Sequence, residues 1–549
     1  MHRCLRVPEM LNLLCNCILA DGPNKRTLIS LAECCKAFHA PAISTLWKKL
    51  DGLGPLLRSL PSDLWDDMGD GPKYVIIRPI KFTDLARFNY YASLVQSLNI
   101  SWLPDATCLA AFQLGCARPL LQNLRCLNWN VTTSSETFNY VLLFLAPSII
   151  RLHLHMPSGS PHTLSLLPRL RTLCPHVELV ELTGLSRNGS DDEHSLVSEV
   201  ISRWESLRVI KVPHLCGDDL SRLGSLQYLA ELTLGDPRIS PQGISPVEPQ
   251  TFSYLRALSL RPTNMEYANQ FLTAMPHLHL ESFAMTCWET DSGHDWSSLA
   301  YAIERTCEHA SLRSLYVDED AEYDVERLAA AGETSEWPRA LNLALIQRLA
   351  VFTNLASLNL TCWGGFLLND VDLSDLAQAW PRLEVLALQT KRVMRPVECT
   401  VRVLVAFARY CPRIRHLGLD FDAGSFTYDP QVTRGIRQGT LRSLDVQRSP
   451  IKSARVVAAF MSSLFPGLDF ISAADNTMDP EVDDPEGDDL DEEVERKRSL
   501  KWKRVEQLLP LLRFVRAEAH IEGASTTDAE HAAAMVLADE DYDTDYTDV

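Results

Sequence analysis

The chain has 549 residues, 46% hydrophobic and 22% charged, ordinary globular proportions, with a net charge of −19. Twelve carboxylates and no base fall in residues 475–495, and six more carboxylates fall in 539–549, so the rest of the chain is nearly neutral. A neutral body excludes a general nucleic-acid surface, which needs a basic stripe, and no run reaches the ~18 apolar residues of a membrane helix. The fifteen cysteines are scattered, odd in number and without a CxxC pair. They are expected as small buried apolar residues in a reducing compartment. Residues 11–22 are apolar, but Asn12 and Asn16 interrupt the run, and Pro8-Glu9 stands where a signal peptide would carry its basic region.

The head, residues 1–50, reads as three short helices. Pro8 can open the first, and Glu9 suits its positive end. Met10, Leu11, Leu14, Cys17 and Ile18 are assigned to its packed face. "ADGPNK" is a turn. Leu28, Leu31, Ala32, Cys35 and Phe38 mark a second helix, and Ala42, Leu46, Trp47 and Leu50 a third. So small a core is marginal by itself. The order Val7-Pro8-Glu9, then Leu31 to Phe38, then Leu46-Trp47-Lys48-Lys49-Leu50 resembles the F-box, especially its fungal members. The resemblance implies docking on a Skp-type adaptor of cullin-RING ubiquitin ligases. Pro8, Leu11, Leu14, Leu31, Cys35, Leu46 and Trp47 are the adaptor-binding residues it implies.

Residues 51–90 are expected to link and cap. From 91 to 475 the pattern apolar-x-x-apolar-x-apolar recurs fourteen times, from "VQSLNI" at 95 through "LRCLNW", "IIRLHL" and "VELVEL" to "LRSLDV" at 441 and "LDFISA" at 468. Its alternation marks a short strand with one buried face. Between the copies lie helical stretches such as "VRVLVAFARYCP" and "ARVVAAFMSSLFP". Pro168, Pro381, Pro412 and Pro466 are expected to stop helices, since proline lacks the donor and disfavours helix in its predecessor. One such unit cannot bury its apolar face, but stacked units can. This resembles the leucine-rich repeat family. The fold expected is α/β: an irregular leucine-rich-repeat solenoid, a horseshoe, behind a three-helix F-box-like domain.

Residues between the apolar positions face outward on the concave side. Asn128, Arg151, His153, His155, Lys211, Arg261, Tyr316, Asp318, Asp420 and Asp445 are the candidates for holding a protein substrate there. A longer interval between the copies at 312 and 355 points to an excursion over 318–340, before the ordinary repeat helix "LNLALIQRLAVF". No P-loop, GxGxxG, HExxH or GxSxG is present, so no catalytic, cofactor or metal residue is assigned and the chain is not read as an enzyme. His153 and His155 share a face without a third ligand nearby in sequence. "WETDSGHDW" puts His294 beside Asp295 and reads as a solvated loop.

The acidic run 476–495 reads as a disordered linker. Residues 496–523 read as an amphipathic helix, broken or kinked at Pro510, that caps the last repeat through Leu500, Val505, Leu508, Leu509, Leu512 and Val515. Residues 524–549 read as a disordered acidic tail. Together these readings imply a cytoplasmic or nuclear substrate adaptor of a Skp–cullin–F-box ligase, with an unknown protein substrate and neither nucleic acid nor membrane as partner. The alternative is a leucine-rich-repeat scaffold unrelated to ubiquitination, its head a mere cap.

Overall fold

The computed structural model describes residues 7–521 apart from 21–24, 68–73, 117–118, 132–134, 158–160, 186–190, 202, 214–219, 236–250, 263, 276, 289–294, 321–339, 392–396 and 474–488. Residues 321–339 of the excursion expected over 318–340, most of the acidic linker and the tail therefore lie outside the described residues, while residues 318–319 continue the strand Ser314–Glu319. Two compact units form, Met1–Tyr254 and Leu255–Val549.

Every one of the fourteen sequence copies supplies a strand, beginning two residues after the copy's first apolar residue. In the first unit, Lys49–Leu50, Ser97–Ile100, Cys126–Trp129, Arg151–His155, Leu179–Thr183, Val209–Val212 and Glu231–Leu234 pair in chain order, all parallel. In the second unit the same holds from Ala257–Leu260 through Ser282–Cys287, Ser314–Glu319, Ser357–Cys362, Val385–Thr390, His416–Gly418 and Ser443–Gln447 to Phe470–Ala473. Lys49–Leu50 is a further strand, at the end of the head, that the repeat pattern does not contain.

The register puts like on like. Leu98, Leu127, Leu152, Val180, Ile210 and Leu232 stand in one buried row of the first unit. Leu258, Phe283, Leu315, Leu358, Leu386, Leu417, Leu444 and Ile471 do the same in the second. Ahead of each strand, one carbonyl accepts two amides of the next copy. The Arg125 carbonyl takes Ile150 N and Arg151 N, and the Arg313 carbonyl takes Ala356 N and Ser357 N. A one-residue slip would turn every leucine to solvent, so this register is strongly specified.

After six of the described helices, the residue three positions before the next copy drops fully into the core. Cys174, Trp204, Phe352, Trp380, Cys411 and Phe465 fill this position, all at most 1% exposed. The two tryptophans also donate to the helix before them. Trp204 Nε1 reaches the Cys174 carbonyl at 2.9 Å, and Trp380 Nε1 the Leu349 carbonyl at 3.3 Å. Free carbonyls at helix ends need such donors. Pro381, Pro412 and Pro466 follow the helices Asp370–Ala379, Val403–Tyr410 and Ala454–Leu464, as expected. Pro168 instead opens the helix Leu167–Leu173. A proline fits the first turn of a helix as readily as it fits beyond the last. Burial holds the thiols of Cys174 and Cys411 at about 12, and both are inert packing groups.

The head forms three helices, α1 (Pro8–Ala20), α2 (Lys25–Cys34) and α3 (Lys36–Lys48). Its core is Cys15, Leu28, Ala32 and Ala42, with Ile18, Leu19, Leu31 and Ile43 packed around it. The chain breaks at Cys35, whose extended backbone starts α3, so Phe38 belongs to α3 and not to α2.

The last described helix, Asp489–Ile521, begins inside the run expected as linker. Carboxylates are favoured at a helix N-terminus, where the macrodipole is positive. It runs through Pro510 without a break. Trp502, Val505, Leu508, Leu509 and Leu512 are buried, and the helix lies against Ala454–Leu464 and Phe470–Ala473. Leu500 is exposed and takes no part, contrary to expectation. Glu506 accepts from Ile471 N at 3.0 Å, so the helix pairs one amide of the last strand's open edge as well as covering its apolar end.

Candidate functional site

Helix α1 is apolar on two faces. Leu11 and Cys15 are buried, with Ile18 and Leu19 beside them. A second stripe, Met10, Leu13, Leu14 and Cys17, follows the helical spacing i, i+3, i+4, i+7 and is exposed. Met10 is 48% exposed and Leu13 59%. The sequence reading had put Met10, Leu14 and Cys17 on the packed side, so the helix is turned relative to that expectation. Periodicity alone cannot choose between two apolar stripes on one helix.

The seven residues assigned to adaptor binding fall into three groups. Pro8 and Leu14 are at the surface. Leu11 is inside the head, Leu31 packs on its core, and Cys35 is the N-cap of α3. Leu46 is half-buried, and Trp47 stacks on Tyr91 with ring centroids 4.1 Å apart. Trp47 thus ties the head to the repeats of its own unit. The strand Lys49–Leu50 adds to that tie by pairing with Ser97 and Leu98.

On the uncovered sheet face of the first unit, Asn128, His153, His155 and Lys211 are half-buried at alternate positions, and Arg151 is exposed. Asn128 and His153 are register partners, as are His153 and Glu181, and Glu181 and Lys211. His153 Nδ1 meets Glu181 Oε2 at 2.9 Å, and Lys211 Nζ lies 3.9 Å from the same oxygen. His155 Nδ1 lies 3.1 Å from Thr183 Oγ1. The imidazole of His153 is held above its ordinary range by hydrogen bonding to the Cys126 thiol and to Glu181, which outweigh its partial burial. Its stabilising contribution is full below about 6.5, the ordinary imidazole value, and is lost as pH rises through the raised value. Replacing Glu181 by Gln is expected to lower the His153 titration midpoint, read by NMR of the imidazole protons. An unchanged midpoint would mean that the 2.9 Å contact carries no charge.

In the second unit, Tyr316 and Asp318 are half-buried and Arg261 is exposed just past its strand. Tyr316 donates to Asp318 at 3.1 Å, and burial together with that carboxylate pushes its hydroxyl up. Lys391 Nζ reaches Asp318 at 3.5 Å and Asp320 at 2.5 Å. Farther along, Gln389 donates to Asp445 at 3.4 Å. Asp420 is raised by burial, against hydrogen bonds from the Arg448 amide and the Thr390 hydroxyl. Asp420 borders a cavity of about 50 Å³ lined also by Leu373, Leu388, Thr390, Cys399 and Leu419. That is room for a water or two, far below the ~300–1,000 Å³ of a small-molecule site. Gln447 takes a left-handed backbone, φ +45°, held by its side chain on the Leu388 carbonyl at 2.7 Å and Thr390 N at 3.0 Å.

The structure thus joins His153 to Lys211 through Glu181, and Tyr316 to Asp318, on their respective units. Glu181, Gln389 and Lys391 were not anticipated. Glu181 holds an outward position of "VELVEL" and could have been found by aligning copies; Lys391 lies past its strand and had no signal. Among the described residues, no three His, Cys, Asp or Glu are placed to hold a metal ion. No described helix is long and apolar enough to cross a membrane.

No family model matches the chain, and no curated protein matches it. Among solved structures, it is similar to a chain in the crystal structure of the Rad7 and Elc1 complex in yeast. That match has 13% identity, covers 58% of this chain and 90% of the other, and has a TM-score of 0.20.

Proposed function

We propose that the chain is an F-box protein with leucine-rich repeats, the substrate-recognition adaptor of a Skp–cullin–F-box type ubiquitin ligase. The observation that carries this reading is α1, a short helix with one apolar stripe in the head's own core and a second, Met10, Leu13, Leu14 and Cys17, left in water. A helix with two apolar stripes is built to be covered along both of them. In this reading the adaptor covers the second stripe, and Pro8 and Leu14 belong to that contact. The outward strand positions hold a protein substrate. The chain is then no enzyme itself: it raises the effective concentration of substrate near the ubiquitin-charged subunit, in the cytoplasm or nucleus.

Co-expression with a Skp-type adaptor tests this. The wild-type chain co-purifies with the adaptor. Met10→Asp with Leu13→Asp lowers capture at least about tenfold, since a carboxylate cannot be desolvated against an apolar partner without a large penalty. Both side chains are exposed, so the melting curve stays in place. Equal capture by wild type and variant, or none by either, would sink the ligase reading. A second reading, an interaction scaffold with the head as a cap, is favoured by the Trp47–Tyr91 stack and the Lys49–Leu50 pairing, which build the head into the repeat unit. It predicts no adaptor in the purified complex.

A further inference from the structure

The uncovered face of the first unit carries a thiol, an imidazole and a carboxylate in a line across three neighbouring strands. Cys126 opens the strand Cys126–Trp129 and stands directly opposite Arg151. His153 is the next outward residue after Arg151, one diagonal step from Cys126, within the reach of a long side chain. Glu181 stands directly opposite His153 and holds its Nδ1 at 2.9 Å. With Nδ1 engaged, the other face of the imidazole is left toward the diagonal neighbour Cys126, whose thiol bears on its titration. Nucleophile, base and the group that orients the base are thus side by side, the arrangement that activates a cysteine.

We propose that Cys126 is a modification site, a nucleophilic thiol that captures α,β-unsaturated carbonyl compounds, with His153 as its base and Glu181 positioning that base. The step balances without an oxidant. The thiol proton passes to His153, a bond forms from Sγ to the β-carbon, and the carbon–carbon π electrons move onto the carbonyl oxygen. His153 then returns the proton to the α-carbon, leaving a thioether. Arg151, directly across from Cys126 and exposed, supplies a cation for the oxygen as charge develops on it.

The electrostatics agree with the geometry. Hydrogen bonding to His153 holds the Cys126 thiol below its ordinary range despite partial burial, with smaller help from Ser97 and Arg151. Burial instead raises the thiols of Cys108, Cys174, Cys307, Cys399 and Cys411 to about 12. A lower value makes more thiolate at neutral pH but a weaker nucleophile. Each tenfold gain in thiolate costs about threefold in intrinsic reactivity, a net gain of about threefold.

The test is independent of any ligase partner. The full-length chain is treated with acrylamide across pH 6–9, and adducts are quantified residue by residue by mass spectrometry. At pH 7, Cys126 is expected to react at least about threefold faster than Cys34, although Cys34 is the more exposed. Its rate should level off below about pH 8.5, the ordinary thiol value. His153→Gln should remove the advantage, and Glu181→Gln should reduce it. If Cys126 reacts no faster than Cys34, or if folded His153→Gln keeps the wild-type rate, the proposal is wrong. Should His153→Gln fail to fold, the wild-type profile decides: a rate still climbing at pH 8.5 and above refutes it.

Discussion

Ending the chain at residue 488 leaves the second unit unable to hold its fold. The helix Asp489–Ile521 buries Trp502, Val505, Leu508, Leu509 and Leu512 on the final repeat. Five such side chains at about 1.5–3 kcal/mol each give on the order of 10 kcal/mol. That is as large as the whole stability of a typical domain, about 5–15 kcal/mol. Without the helix, the end of the repeat array faces water with its apolar interior open. The truncated chain is expected to aggregate, or to show no cooperative melting of the second unit. Trp502→Ala in the full-length chain is the graded form of the same test. It opens a cavity beside Phe421, whose ring meets the indole edge-on at 5.8 Å, and strips the Ser449 carbonyl of its 2.8 Å donor. The cavity costs about 3–5 kcal/mol and the lost hydrogen bond about 1 more. Leu500→Ala, on the exposed side of the same helix, should change nothing measurable. Urea unfolding followed by circular dichroism reads all three. A truncated chain that melts like the intact one would show that the helix is an ornament.

The strands were legible because their signal is local. An apolar residue at every second position, repeated fourteen times, leaves one choice of face, and the structure puts each copy in the same register. The helix contacts were legible only in part. Trp502 sits between Lys501 and Lys503 and was not among the residues expected to cap the last repeat, although it is the largest fully buried side chain of the cap. Its indole shows how a residue flanked by charge can still be the anchor: on a helix, neighbours in sequence point to different sides. In α1 the period was right and the phase wrong, since Leu11–Cys15 and Met10–Leu14 are equally good stripes. What decides between them is Leu28, Ala32 and Ala42 on the other two helices. The Cys126–His153–Glu181 line was illegible for a different reason. Its members come from three copies, and their contact depends on strand order and register, which no single copy contains.

The second large effect is expected at Gln438, a polar residue that no repeat pattern marked. It is 3% exposed and sits in the turn before the strand Ser443–Gln447. Its side-chain oxygen accepts from Thr440 N at 3.0 Å and from Leu441 N at 2.9 Å. Its side-chain nitrogen donates to the Ile414 carbonyl at 3.1 Å in the preceding copy and to the Thr440 hydroxyl. One amide thus closes the turn and ties it to its neighbour. Buried backbone groups must be paired, and here no secondary structure pairs them. Gln438→Leu keeps the size and removes the partners. The buried Leu441 donor is then left without an acceptor, at about 1–3 kcal/mol, and the bonds to the more exposed Thr440 amide and to the Ile414 carbonyl are lost at about 1 kcal/mol each, so the second unit should lose about 3–5 kcal/mol. At about 2 °C per kcal/mol for a unit of this size, its melting point should fall by ~6–10 °C. Leucine is a good measure because it leaves no cavity; a change that were only about volume would cost under about 1.5 kcal/mol. A melting point within about 2 °C of wild type would mean that water reaches the turn and replaces the amide.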